Sequence, residues 1–296
     1  MPAETILVDR PLSTAAVLRG GLRTLAKRPH GAPTLPDVEL LRPIVSIDAG
    51  HLDAYRVLCG FDPDHGIPIT YPHLLAFPLH LQLMLRPDFP FPLAGLVHIA
   101  NRIVQYRALR SDDQPSVRAS FGPLRAHARG QALTIRAEVA VADETVWESE
   151  SLYLRIGARD PVGAAFAAMA GEKAARTQRA RENLSARLGP RYARISGDRN
   201  PIHISSIGAR LFGFKRRIAH GMWTKARALA VALPPRRLEA LTATVDFRAP
   251  ILLPGTATFF ADPEPHDARF AVRDAAGERL HLIGNYDADP SEKPPC

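Results

Sequence analysis

Asp198, His203 and Gly221 are the residues of this 296-residue chain whose types and spacing could do chemistry together. The first two lie in Tyr192-Ala-Arg-Ile-Ser-Gly-Asp-Arg-Asn-Pro-Ile-His203 and the third in Ile218-Ala-His-Gly-Met222. Five positions span about 500° of helix, so an unbroken helix would hold the Asp198 and His203 side chains about 140° apart. Asn200-Pro201 prevents that, because proline cannot continue a helix interior and pushes the preceding residue toward extended geometry. The chain must turn, which can bring a carboxylate and an imidazole to one side as an acid/base pair. Gly221 opens an Ala- and Leu-rich helix expected over Gly221–Leu233, stopped by Pro234-Pro235. A backbone N–H at a helix start is unpaired and sits at the positive end of the dipole. It is a suitable donor to a carbonyl oxygen gaining negative charge.

Alone, each residue has an ordinary reading. Ser-Gly-Asp is usually a turn and Asn-Pro a helix stop. His220 is expected to fix the helix entry through a hydrogen bond, and Asn200 to brace the turn or the pair through its amide. Asp198 and His203 gain their meaning together with Gly221. The spacing offers no metal-ligand cluster, and no metal or other cofactor is expected.

The motif Tyr-x-x-x-Ser-Gly-Asp-x-Asn-Pro-Ile-His resembles the signature of the MaoC-like, R-specific enoyl-thioester hydratases and dehydratases. Ala-His-Gly-Met resembles that family's entry into the central helix of a hotdog fold, and Val245-Asp-Phe-Arg-Ala-Pro-Ile-Leu-Leu-Pro-Gly255 the strand that follows. The resemblance covers about residues 183–286. It implies reversible dehydration of (R)-3-hydroxyacyl thioesters to trans-2-enoyl thioesters in fatty-acid metabolism, by a hydro-lyase. Asp198 would then be proton donor and His203 base, as a coupled pair able to share both jobs. Gly221 would be the oxyanion donor, with Tyr192, Ser196, Asn200 and His220 as support. One departure is Leu229, where some members of the family place a small hydroxyl residue.

Around this site the chain reads as two similar halves. Tyr55-Arg-Val-Leu-Cys-Gly-Phe61 lines up with Tyr192-Ala-Arg-Ile-Ser-Gly-Asp198, with Phe61 where the acid should be and Gly66 where the histidine should be. One live and one decayed half resemble the family's double-hotdog members. The expected architecture is α+β, each half a long helix wrapped by an antiparallel sheet. The expected divisions are an N-terminal extension (1–41), a degenerate N-terminal hotdog (42–162), a connector helix (163–188), the catalytic hotdog (189–287) and a flexible tail (288–296). Period-two alternation places strands at Ile44–Ile47, Leu96–Leu109, Val117–Gly122, Ala132–Ala142 and Thr145–Ile156 in the first half. In the second half they fall at Thr242–Leu253, Thr256–Ala261, Arg269–Arg273 and Arg279–Tyr286. Leu12–Lys27 and His73–Leu85 read as helices.

The two cysteines, Cys59 and Cys296, exclude a disulfide framework. With no apolar run long enough for a bilayer and no secretory leader, the expectation is a cytoplasmic protein without an integral membrane segment. The net charge of +8 lacks the clustered basic and aromatic pattern of a nucleic-acid module. It suits a solvated surface or an acidic substrate such as coenzyme A or an acyl carrier protein, whose approach Lys215, Arg216 and Arg217 would steer. Alternatives are a non-catalytic acyl-thioester or carrier-binding hotdog protein and a hotdog thioesterase, though the latter does not carry Asp-x-Asn-Pro-x-His. Monomer and homodimer are both compatible with two hotdogs in one chain.

Overall fold

The computed structural model describes residues 4–27, 32–171, 174–262 and 267–288. In chain order the first elements are β1 (Glu4–Leu7), α1 (Thr14–Thr24), β2 (Val38–Arg42), α2 (Ala49–Cys59), α3 (Pro72–Leu85), β3 (Leu96–Gln105), β4 (Ser116–His127), β5 (Gly130–Val141) and β6 (Glu144–Ile156). Then come β7 (Ala164–Ala165), β8 (Gln178–Leu184), α4 (Leu188–Ser196), α5 (Pro201–Ile204), α6 (Ser206–Leu211) and α7 (Gly221–Ala232). The chain closes with β9 (Leu241–Phe247), β10 (Gly255–Asp262), β11 (Ala268–Arg273) and β12 (Leu280–Asp287).

These elements form two compact units. The first gathers Met1–Ser46, His73–Asn101 and Gln114–Ala167. Its strand order is β1-β2-β4-β5-β6-β3. α3 reads Pro-His-Leu-Leu-Ala-Phe-Pro-Leu-His-Leu-Gln-Leu-Met-Leu, apolar all round, so it can only be a buried helix. Leu79 and Leu83 are fully buried, and His80 meets the Tyr153 hydroxyl of β6 at 3.2 Å. β5 and β6 join through Ala142 and Asp143, both with positive φ (48° and 63°), the pairing of a type I′ hairpin turn.

The second unit gathers Ile47–Pro72, Arg102–Asp113 and Ala168–Cys296. Its antiparallel order is β9-β12-β11-β10-β8, and α7 lies against β10, β11 and β8. Phe259, Phe270, Ala226, Leu229 and Val245 are fully buried between helix and sheet. The expected α+β double hotdog is thus present, helix with a largely antiparallel sheet in both units.

Four expectations are corrected. Among the described residues no helix spans 163–188: that stretch holds β7 and then β8, which pairs antiparallel with β10 from Leu184↔Gly255 onward. Its Ala- and Arg-rich composition favours helix only weakly, and pairing at the edge of a sheet overrides it. The strand expected at Ile44–Ile47 falls earlier, at β2 (Val38–Arg42), because Pro43 ends the ladder. The N-terminal lead-in is also not outside the sheet, since β1 pairs parallel with β2 and β2 antiparallel with β4. α2, which lies inside the expected first hotdog (42–162), belongs to the second unit. The flexible tail lies outside the described residues from 289 on.

The internal repeat is visible in the backbone. α2 and α4 both end on a left-handed glycine, Gly60 (φ 73°) and Gly197 (φ 76°), each donating its N–H back four residues, to Arg56 and Ala193. A Cβ is costly in that conformation, so glycine is required at both caps. Tyr55 and Tyr192, each five residues before its glycine, face one another with ring centres 6.4 Å apart.

Candidate active site

The turn that brings Asp198 and His203 to one side follows from how α4 stops and α5 starts. Gly197 turns the chain out of α4. The Asp198 N–H then donates to Ser196 Oγ (3.2 Å), and the Asn200 N–H donates to Asp198 Oδ1 (3.1 Å). Asn200 caps α5 by accepting the Ile202 N–H on Oδ1 (3.3 Å), with Pro201 at the first helical position. One turn, built by Ser196, Asp198 and Asn200, holds the carboxylate with Oδ2 left unclaimed among these bonds. The short helix carries His203 back over it.

His203 is buried and its Nδ1–H donates to the Ile218 carbonyl at 2.9 Å. A carbonyl can only accept, so Nδ1 carries the proton and Nε2 of the neutral ring presents a lone pair. That Nε2 lies 3.9 Å from Asp198 Oδ2. The gap is too long for a direct hydrogen bond and short enough for one oxygen to reach both groups. Burial holds the His203 imidazole below its ordinary value, with Asp198 and the Ile218 carbonyl pulling the other way. A neutral base is the result.

His220 stands on the other face of that ring. The two imidazoles stack with centres 3.7 Å apart and planes 24° from parallel. His220 donates Nε2–H to the Asp198 carbonyl (3.0 Å), the hydrogen bond at the helix entry expected for it. Burial first, then the nearness of His203, hold it well below its ordinary value. Tyr192 packs on His220 at 4.8 Å, and its buried hydroxyl meets no hydrogen-bond partner among the described residues.

The sequence offered no ligand cluster, yet the fold makes one: ligand atoms of Asp198, His203 and His220 lie within 4.8 Å of one another. An ion bound to a histidine lies in the ring plane about 2 Å from its nitrogen. Rings stacked at 3.7 Å and tilted by 24° cannot both place one ion in their planes. Nδ1 of His203 and Nε2 of His220 are also committed to carbonyls. The arrangement fits proton transfer, not metal binding.

Gly221 begins α7, with His220 at the cap position and its side chain making no cap hydrogen bond. Its missing Cβ is used by a neighbour: a methyl there would stand 3.2 Å from the Phe247 ring. Lys215 and Arg216 are exposed and Arg217 is half-buried on the segment leading to Ile218. Arg217 and Ile218 tie to the turn before β10, through Leu253 N–H to the Arg217 carbonyl (2.8 Å) and an Ile218–Leu252 bridge.

Sequence reasoning missed the Ile218 carbonyl that orients His203, and also His51. His51 on α2 donates Nε2–H to the Ile195 carbonyl (2.8 Å) and meets the Tyr71 hydroxyl (3.0 Å). Trp223 likewise donates to the Leu58 carbonyl (3.1 Å). The first-half repeat motif was the available signal that α2 packs beside α4.

Residues 170–261 match the MaoC like domain. Over 277 residues the chain is 33% identical to 3-hydroxyacyl-thioester dehydratase X of Mycobacterium tuberculosis, covering 88% of this chain and 96% of that protein. The crystal structure of HtdX of Mycobacterium tuberculosis superposes with a TM-score of 0.71 at 29% identity, covering 84% of this chain and 99% of that one. A conserved hypothetical protein of the same organism, with a double hotdog fold, gives a TM-score of 0.51 at 16% identity over 82% of this chain and 92% of its own. At that identity the likeness concerns the fold alone.

Proposed function

We propose a reaction for this chain from the premise that it belongs to the MaoC-like dehydratase family: reversible dehydration of 3-hydroxyacyl thioesters to trans-2-enoyl thioesters. The R configuration of the hydroxyacyl substrate is part of the proposal, as is the placing of the chemistry in residues 189–287. The observation that carries it is the pairing of His203 Nε2, bare and aimed by the Ile218 carbonyl, with Asp198 Oδ2 3.9 Å away.

Dehydration must remove a weakly acidic α-proton and expel hydroxide. His203 Nε2 takes the α-proton, and the C–H electron pair becomes the new double bond. The C–O pair leaves with the oxygen, which collects a proton from Asp198 and departs as water. Negative charge that builds on the thioester oxygen meets the Gly221 N–H at the head of α7. The proton on His203 then returns to Asp198 across the gap, through an oxygen bridging the two. In reverse, the same pair activates water for addition.

Tyr192, Ser196, Asn200 and His220 act by holding the turn and the ring. Lys215, Arg216 and Arg217 are assigned to the phosphates of the thioester's carrier, coenzyme A or a phosphopantetheine arm. The test is the ultraviolet absorbance of trans-2-enoyl-CoA with purified protein. Loss of the enoyl signal with an R-3-hydroxyacyl product supports the reading. Unchanged absorbance with coenzyme A and carrier-protein thioesters alike overturns it.

A further inference from the structure

The charge of the protein is concentrated in one place. Residues 185–217 hold eight of the 38 Lys and Arg but only one of the 30 Asp and Glu, namely Asp198. The rest of the chain is near balance, at 30 against 29. Seven of the eight cations are exposed, Arg217 being half-buried. None of the eight forms an ion pair with another described residue. Surface arginines on an ordinary fold are interspersed with acids; these are not.

The same stretch carries an inverted helix. On a surface helix the large apolar side chains normally face inward. In α6 the buried residues are Gly208 and Ala209, and a Cβ on Gly208 would lie 2.6 Å from the Pro201 side chain. That close approach to α5 leaves the bulky residues outside: Ile207 is 73% exposed, Leu211 80% and Phe212 40%. Ile207 and Leu211 are four positions apart, so they form one ridge. Arg210 lies between them in sequence, and Lys215 and Arg216, both exposed, follow Phe212 by three and four positions. An apolar centre with a cationic rim is the anatomy of a docking surface. His203 lies two residues before the N-cap of α6, so whatever docks there is delivered beside the acid/base pair.

We propose that the α4–α6 surface docks an acidic carrier protein bearing the thioester on a flexible arm, with Ile207, Leu211 and Phe212 as the apolar centre of the contact. The proposal rests on the thioester reading above and names the partner of that site. A second copy of this chain is disfavoured as occupant, because an isologous contact would set the same cations against one another. A lipid surface is disfavoured because three side chains on a six-residue helix and its C-cap are a small apolar area for interfacial binding. An acidic partner answers both the rim and the ridge, and the field would steer its approach.

The test is titration of purified holo acyl carrier protein into the full chain, followed by fluorescence anisotropy. It is run beside turnover of one trans-2-enoyl group carried on coenzyme A and on the carrier. The variants are Ile207→Ser/Leu211→Ser and, because both replacements lie on the surface, Arg191→Glu/Arg194→Glu as an independent second pair. Expected are saturable binding that weakens as salt rises from about 0.05 M to about 0.5 M, and about tenfold weaker binding in either variant. For Ile207→Ser/Leu211→Ser, kcat/KM should fall by about tenfold on the carrier thioester and stay within about twofold on the CoA thioester. Absence of carrier binding by the wild type overturns the surface even if the CoA ester is turned over. Binding with no turnover of either thioester overturns the dehydratase reading and leaves the surface standing. Variants that bind the carrier like the wild type overturn the proposal, whether they lose self-association or adhesion to anionic vesicles instead.

Discussion

The imidazoles of His203 and His220 lie face to face, 3.7 Å between centres, and each gives its one ring proton to a backbone carbonyl. The two carbonyls belong to Ile218 and Asp198, so each ring is pinned by the backbone of the other half of the site. His220 thereby holds the Asp198 turn and the plane of the His203 ring at once. His220→Phe keeps a ring in the stack and removes the bond to the Asp198 carbonyl. A net hydrogen bond is worth ~1 kcal/mol, so kcat should fall about five- to tenfold with KM little changed. Steady-state kinetics on an enoyl-CoA checks this, and an unchanged kcat would reduce His220 to packing.

Asp198→Asn and His203→Ala should each abolish turnover, with losses of at least about 100- to 10,000-fold in kcat. Asparagine retains the oxygen that accepts the Asn200 N–H, so the turn should survive in the first variant. Thermal melts close to the wild type would show that chemistry alone was lost. Near-normal activity in both purified variants sinks the assignment.

The acid limb of the rate profile should track His203. The ring must be neutral to take the α-proton, and burial holds it below its ordinary value. kcat/KM should therefore stay level as pH falls to about 6.5 and drop only below it. A limb centred above that value in a pH series of initial rates would contradict the buried neutral base.

Gly221→Ala separates two uses of the glycine. The N–H survives, but the new methyl would press on the Phe247 ring from 3.2 Å. Overpacking of that kind costs about 1–3 kcal/mol, while helix propensity favours alanine by at most about 1 kcal/mol. A lower melting temperature and a fall in kcat are expected together, because a shift of α7 away from the ring carries its leading N–H with it. A stable variant with full activity would mean that Phe247 moves freely and the site tolerates it.

How much of this was legible depended on whether the signal was local. The Asp198 turn was, because Asn200-Pro201 forbids a continuous helix whatever surrounds it. The pairing of Tyr55 with Tyr192 was half legible: the repeated motif showed the likeness, but only the fold sets the two rings 6.4 Å apart. The Ile218 carbonyl was not legible, since a backbone acceptor fifteen residues from its histidine leaves no mark on residue type. β8 was misread for a related reason. Gln178-Arg-Ala-Arg-Glu-Asn-Leu184 favours helix locally and becomes a strand only because β10 offers a ladder. The outward ridge of α6 was hidden too, because apolar spacing gives a face and the Gly208–Pro201 approach decides which way it turns.

Three buried histidines give stability a pH dependence of their own. His80, His203 and His220 are all held below their ordinary value by burial, His80 to about 3. The folded chain keeps these rings neutral while the unfolded chain takes up protons as pH falls through about 6.5. Stability present above that pH is then lost progressively toward the folded value, by up to about 1.4 kcal/mol per pH unit for each ring. His80 is the clean probe, because it lies in the first unit and meets the Tyr153 hydroxyl at 3.2 Å rather than any residue of the site. His80→Asn keeps a polar group near that hydroxyl and removes the titration. Denaturant unfolding at a series of pH values should find the variant less stable than the wild type near pH 7.5, with the gap narrowing as pH falls from 6.5 to 4.5. Parallel curves for the two proteins would show that His80 gains its proton in the folded state as readily as in the unfolded one.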